Sequence, residues 1–442
     1  MRPTRLLALS LLSLALAAAL ALAATATLQA IVHKPQAAVY ARPDFAAPVV
    51  ATLQRNAKVA VAGQEGLWFR LALDSGASGY VRVTEVRMAG TGTAPPETLR
   101  VLFTGRAGKG RVSETAGVRG LDESDLRGAA FDAAQLAQLE GYRATPEAAA
   151  AYAARQRWSA TKIAWAGETV PRGGKTSQAN ARLGTSVARG LLGSLGGGTV
   201  GSVLGAGEKA IPKSEAELTG EELALGPLIA GRVLGARPLW NDAAAQRRVN
   251  LVGRWVASQS ARPELPWAFG IVDTPEVNAF AAPGGYVLLT RGLYELIASD
   301  AELAGVLAHE INHVVQRDHY MVIHKQEMAA AAKELVSSQV AGGASLGESL
   351  ARAYVEKHGA AIMLTGLDRE AEYRADEIAL VYLARAGINP LAYYAVLQKM
   401  SAFGPKSAGL AQLYKTHPPL DERLDRIDRR GYGALEPYTR RD

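Results

Sequence analysis

His309, Glu310 and His313 form an H-E-x-x-H pattern, and of all residues in this chain they are the best suited to hold a metal ion and act beside it. At ~100° per residue, positions four apart fall on one face of a helix. Two imidazoles on that face can bind one ion, and the Glu310 carboxylate stands next to them to serve a water. All but one of the seven histidines follow position 308. Two surface histidines and a glutamate could produce the same five letters by chance, so the surrounding sequence has to decide.

Upstream, Ser299-Asp300-Ala301-Glu302 reads as a capping box, with Ser299 at the N-cap and Glu302 three residues on. Leu303, Val306, Leu307, Ile311 and Val314 then recur at helical spacing. The pattern predicts a helix that buries one side and carries both histidines about three turns in.

A catalytic zinc normally takes three protein ligands and keeps one open position. His319 stands where an H-E-x-x-H-x-x-G-x-x-H pattern has its third histidine, but the position of the turn glycine is held by Gln316. If the helix simply continued, His319 would sit ~240° around and ~9 Å beyond His313, out of reach of the same ion. It reads as a solvent-facing or helix-end residue. The other source is Asp368–Asp376, where Asp368 is a plausible N-cap and a helix is expected to run to Ala386, with Gly387 and Pro390 as stop signals. Glu372 and Asp376 share a face, so one carboxylate could bind the ion while the other orients a ligand histidine. An ordinary charged surface is the alternative, and Glu370 fits it. Spacing alone does not choose between Glu370 and Glu372.

H-E-x-x-H followed by E-x-x-A-D, here Glu372 to Asp376, resembles the BepA/LoiP/HtpX-type zinc metallopeptidases, a gluzincin family that includes the CAAX prenyl endopeptidases. Asn278-Ala279-Phe280-Ala281-Ala282-Pro283-Gly284-Gly285, followed by Tyr286–Thr290, is similar to the family's stretch before the metal helix. Thr416-His417-Pro418-Pro419 with Arg423 is similar to its late H-P…R motif. The similarity runs from about Glu217 to Asp428. It implies one zinc ion per chain held by His309, His313 and Glu372, with Asp376 behind them. It also implies that Glu310 takes a proton from the zinc-bound water and passes it to the leaving amine. Asn278, Ala279, Phe280 and Ala281 are expected to form a strand, and the Gly-Gly turn with Tyr286–Thr290 suggests a hairpin. An extended peptide could add to that edge through backbone hydrogen bonds, which favours unfolded chains as substrates. His417 and Arg423 are candidates for stabilising the oxyanion. In relatives, the late histidine can instead cap the zinc as a fourth ligand.

Composition bounds the rest. A chain of 442 residues, 48% of them hydrophobic, suggests two or three domains with substantial cores. Met1-Arg2-Pro3-Thr4-Arg5 and the Ala/Leu run from Leu6 to Ala24 read as an export signal over 1–26, or as an uncleaved membrane anchor. The absence of cysteine excludes disulfides and a lipidated cysteine, and together with export it suggests a bacterial envelope or periplasmic protein, in some cases membrane-associated. A net charge of +7 favours anionic surfaces, and no nucleic-acid motif accompanies it.

Short alternating runs between Ala38 and Met88 predict a small barrel of short strands over 27–90. Val39–Pro43, Gly66-Leu67-Trp68 and Ser78–Val81 resemble the bacterial SH3-like domain, which implies a cell-wall or envelope-protein partner. Trp68 and Tyr80 could line its groove, although both also suit a core. Thr91–Pro96 reads as a linker, and within a middle region over 91–182, Ala129–Trp158 is alanine-rich and helical. Gly193, Gly197, Gly201 and Gly205 form a small-xxx-small ladder within 183–210, either a hinge or a close-packing helix face. A helix from Glu217 to Gly235 opens the peptidase domain of 211–442. The expected architecture is α+β and multidomain: an SH3-like β-barrel, a mixed or helical middle, and a mainly α-helical zincin domain with a short hairpin or sheet at its active site. The expected function is a zinc endopeptidase for unfolded or misassembled exported and outer-membrane proteins. A chaperone-like or scaffold protein with a latent site, or a cell-wall-binding module, are the alternatives.

Overall fold

The computed structural model describes residues 28–73, 76–90, 96–105, 123–163, 215–324, 359–364 and 366–441. The expected export segment, the glycine ladder and most of the Thr91–Pro96 linker lie outside the described residues. The chain divides into two compact units, one within residues 1–110 that also takes in Ser401–Gly404, the other holding the rest.

The first unit is an antiparallel sheet. Its strands are β1 (Leu28–Val32), β2 (Gln36–Tyr40), β3 (Val49–Gln54), β4 (Lys58–Glu65), β5 (Trp68–Ala72), β6 (Ser78–Arg82) and β7 (Val86–Met88), in the order β3-β2-β6-β5-β4-β1-β7. Alternation decides which side is buried: Val59 and Val61 of β4 point inward with Phe69, Leu71 and Val81, while the residues between them face out. Gly79 permits the tight crossing onto β2, because a Cβ there would stand 2.3 Å from a Val39 methyl. Helix α1 (Pro96–Thr104) packs on β4. Trp68 is buried, whereas Tyr80 is half-buried and donates its hydroxyl to Glu65 at 2.9 Å.

The second unit begins with α2 (Glu123–Gly128), α3 (Ala133–Gly141) and α4 (Pro146–Arg155). The alanine-rich stretch is split in two because Thr145 caps α4 and Pro146 fits its first position, where no N–H is needed. Leu126, Leu136 and Leu139 from these helices share a core with Leu225, Ile229 and Val233 of α5 (Glu215–Ala236). Helix α6 (Ala243–Ala257), capped by Asp242, covers a three-stranded sheet of β8 (Ala268–Val272), β9 (Ala279–Ala282) and β10 (Tyr286–Thr290). Its order is β8-β10-β9, with β8 parallel and β9 antiparallel to β10. The Gly-Gly turn joins β9 to β10, and both glycines have positive φ, 74° and 102°. That is a conformation L side chains resist.

After α7 (Arg291–Leu296), Ser299 caps α8 (Asp300–Val315), the helix of the H-E-x-x-H pattern. Its Oγ accepts the Glu302 N–H at 3.2 Å, and the Glu302 carboxylate reaches back to the N–H of Ala298 at 2.7 Å. The helix then breaks, and helical residues resume over 318–324. Asp368 caps α9 (Arg369–Arg385), which packs along α8. Helix α10 (Leu391–Ser401), α11 (Leu413–Thr416), α12 (Leu420–Arg430) and α13 (Glu436–Thr439) complete the unit.

Candidate metal centre

The third and fourth turns of α8 and the first turns of α9 bring His309, His313 and Glu372 together, and the residue after α11 adds His417. One ligand-type atom from each of these four lies within 4.8 Å of all the others. The two Nε2 atoms of His309 and His313 are 3.1 Å apart. Glu372 places Oε2 3.6 Å from His309 Nε2 and from His417 Nε2, and Oε1 3.6 Å from His313 Nε2. Tetrahedral zinc with bonds of 2.0–2.1 Å needs donor atoms roughly 3.3 Å apart, so the set has the right size.

Hydrogen bonding agrees with the distances. His309 Nδ1 is 3.0 Å from Asp376 Oδ1, and His313 Nδ1 is 2.9 Å from Asp318 Oδ2. A carboxylate accepts a hydrogen bond from Nδ1–H in each case, which leaves each Nε2 lone pair bare. Two such lone pairs then face each other, beside a buried Glu372 Oε2 that has no hydrogen-bond partner among the described residues. A cation satisfies all three atoms at once. Burial disfavours the His309 imidazolium, but the neighbouring carboxylates of Asp376 and Glu372 overcome this and lift it to about 9. Metal and proton thus compete for the same atom. Glu372 is held well below the usual carboxylate range, because the histidines around it outweigh its burial. Burial lowers His417 to about 3, so it presents a neutral ring. Its Nδ1 lies 2.8 Å from the Thr416 hydroxyl, which turns Nε2 toward Glu372.

Glu310 is buried beside this group, and burial pushes its carboxyl up. The crevice around it is lined by Ala279 and Phe280 of β9, with His313, Glu372, Thr416 and His417. Strand β9 therefore runs past the centre, paired with β10 in the register Ala279↔Leu289, Phe280↔Leu288 and Ala281↔Val287. Asn278 precedes it and closes the hairpin, donating its N–H to Thr290 Oγ1 at 3.0 Å. Both side-chain amide atoms of Asn278 are buried without a partner among the described residues.

Arg423 on α12 is buried, with Nη2 2.6 Å from Asp376 Oδ1 and Nε 3.0 Å from Oδ2. The guanidinium is thus committed to Asp376, which it holds far below the ordinary range even though burial opposes this. Tyr393, which carries no sequence signal beyond its place in an apolar helix, joins the pair. Its hydroxyl donates to Asp376 Oδ1 at 2.7 Å and lies 3.0 Å from His309 Nδ1.

His319 departs from expectation. It is buried, not solvent-facing, and its ring stands 6.2 Å from that of His313. The helix fails to continue because Arg317 adopts φ 59°, taking over the turn that the pattern assigns to glycine. His319 lines the crevice but stays outside the four-residue ligand group. Asp318 was equally hidden: five residues past His313, it has no place in a helical pattern. Arg374 fixes it with a 2.6 Å hydrogen bond. Glu370 lies on the exposed side, paired with Arg426 at 2.9 Å.

A helix-borne histidine pair facing a glutamate from a second helix, with a buried carboxylate between them, has the form of a metallopeptidase site. The sequence profile described as Peptidase family M48 matches residues 243–431. Among known proteins, the chain is 28% identical over 214 residues to the beta-barrel assembly-enhancing protease of Escherichia coli, a match that covers 46% of this chain and 42% of that protein. It is 30% identical over 162 residues to the mitochondrial metalloendopeptidase OMA1 of Arabidopsis thaliana, covering 37% of this chain and 31% of the relative. A protease HtpX homolog of Syntrophobacter fumaroxidans is 28% identical over 206 residues, covering 38% of this chain and 72% of that protein. The chain therefore spans less than half the length of the first of these relatives. The resemblance read from the motifs is met by family and relatives alike. The expected SH3-like segment is not confirmed by them.

Proposed function

We propose that this chain is a zinc-dependent endopeptidase of the bacterial cell envelope, acting on unfolded or misassembled exported and outer-membrane proteins. The observation that carries this reading is the convergence of His309, His313 and Glu372 at tetrahedral spacing with Glu310 buried beside them. A zinc ion held by these three residues supplies Lewis acidity, polarising the scissile carbonyl and acidifying water. Glu310, its carboxyl raised by burial, takes a proton from the attacking water and delivers it to the leaving amine. Asp376 keeps His309 in the tautomer that presents Nε2, and Arg423 with Tyr393 keeps Asp376 ionised and oriented. We therefore give Arg423 a positioning role in place of contact with the oxyanion. Strand β9 ends its sheet and runs along the crevice, so an extended substrate can pair with its backbone over Asn278–Ala281, a mode open only to unfolded segments.

A second reading concerns the resting state. His417 brings Nε2 to 3.6 Å from Glu372 Oε2, where it would add a fourth donor to the group, and this supports a self-capped centre that substrate must open. The similarity to beta-barrel assembly-enhancing proteases supports the envelope setting and the substrate class, and contact of the N-terminal sheet with cell wall or a partner protein belongs to the same proposal. Among the described residues no helix is long and apolar enough to cross a membrane. Zinc content measured together with cleavage of unfolded casein, in wild type and in Glu310→Gln, tests the proposal. Zinc retained and cleavage lost in the variant is the expected result, and retained cleavage overturns the mechanism.

A further inference from the structure

Asp318 reaches His313 only because α8 breaks just after Val315. In a continuous helix, a residue five positions on lies ~140° around and ~7.5 Å along, too far to meet the ring. With Arg317 in the left-handed region at φ 59°, Asp318 Oδ2 instead comes to 2.9 Å from His313 Nδ1. A side chain other than glycine holds such a conformation only when its surroundings enforce it.

Those surroundings come from α5, which precedes the family-matched residues 243–431. Glu222 is fully buried there, and its Oε2 accepts from Arg317 Nε at 2.6 Å. Arg317 Nη2 donates to Thr219 Oγ1, one turn back on the same helix, at 2.9 Å. The Glu222 carboxylate is itself gripped by Arg262, through Nη2 at 2.7 Å and Nη1 at 3.1 Å. Arg262 Nη1 also donates at 3.3 Å to the Val314 carbonyl, which accepts the Arg317 N–H at 3.1 Å and so closes the same turn. The neighbouring Glu221 takes the Tyr320 hydroxyl, so α5 fastens the chain on both sides of Asp318. Glu222 thus clamps the end of the metal helix and the turn beyond it, without approaching the ligands.

We propose that Glu222 is a positioning residue of the metal centre: it holds the Arg317 turn, and the turn sets Asp318 against His313. The inference rests on the metal reading above. Second-sphere changes of this kind weaken metal affinity about 10- to 100-fold, and Glu222→Gln is expected to fall in that range. The full-length protein is titrated with zinc against a chromophoric chelator, and the visible absorption of its cobalt-substituted form reports ligand geometry. Glycine takes the left-handed turn freely, so Arg317→Gly removes the need for the clamp. In the Arg317→Gly background, Glu222→Gln is expected to change affinity by no more than about twofold, the signature of two residues acting through one step. The cobalt spectrum, altered by Glu222→Gln alone, should then match that of Arg317→Gly. Unchanged affinity and spectrum in Glu222→Gln overturn the inference while leaving the metal centre standing, as do losses that simply multiply in the double variant. A wild type that binds no metal overturns both.

Discussion

Glu310 and Asp376 are both buried, yet their surroundings drive them in opposite directions, and that contrast assigns their work. Burial raises Glu310, which among the described residues has histidines but no hydrogen-bonded cation to hold its charge, whereas Arg423 forces Asp376 to stay ionised. A carboxyl poised to exchange a proton suits a base, and a permanently ionised one suits an orienting group. Glu310→Gln is expected to lower casein cleavage at least ~100-fold with zinc content unchanged. Asp376→Asn is expected to weaken zinc binding about 10- to 100-fold by chelator competition, because it takes away the acceptor for His309 Nδ1. His319 gives a pH dependence. Burial, with help from His313, lowers it from 6.5 to about 4 in the folded protein. Between those values the unfolded chain binds the proton and the folded chain does not, so stability is lost as pH falls from 6.5 to about 4. The loss is on the order of 3 kcal/mol. Denaturant melts of wild type and His319→Asn across that range should therefore converge toward acid pH. Curves that stay parallel would contradict the assignment.

At the scale of elements, the helices were readable wherever periodicity and caps coincided. Ser299 and Asp368 each start a helix with a side-chain oxygen on a backbone N–H. Gly305 shows what periodicity leaves out. A Cβ there would stand 2.8 Å from the Tyr393 Cα, so α8 and α10 touch backbone to backbone at the residue that bridges His309 and Asp376. Gly305→Ala is expected to destabilise by about 1–3 kcal/mol in thermal or denaturant melts, despite the better helix propensity of alanine. It should also lower zinc affinity through displacement of Tyr393. The Arg317 turn shows the opposite failure. No local signal marks an arginine as a turn residue, because the groups that hold it, Glu222 and Thr219, lie on a distant helix.

For the whole molecule, an ion held by His309, His313, Glu372 and His417 would add a tie between α8, α9 and the residue after α11, on top of the packing of α9 along α8. Zinc at about 1,000 times its Kd is expected to stabilise the fold by about 4 kcal/mol, read as a rise in Tm that a chelator reverses. A Tm that ignores zinc would mean that the four side chains do not share an ion. By itself, the sequence determined what nearest neighbours and helical spacing can encode: the paired histidines on one face, the caps, the β9–β10 hairpin, and the shared face of Glu372 and Asp376. Tertiary structure alone decided which carboxylates stand behind the histidines, that Arg423 serves Asp376, and that His319 is buried beside the centre. The physical reason is that a buried charge is stabilised by whichever groups the packing brings within about 3 Å, and for Asp376, Asp318 and Glu222 the groups that matter come from distant segments or, at Asp318, from a broken helix.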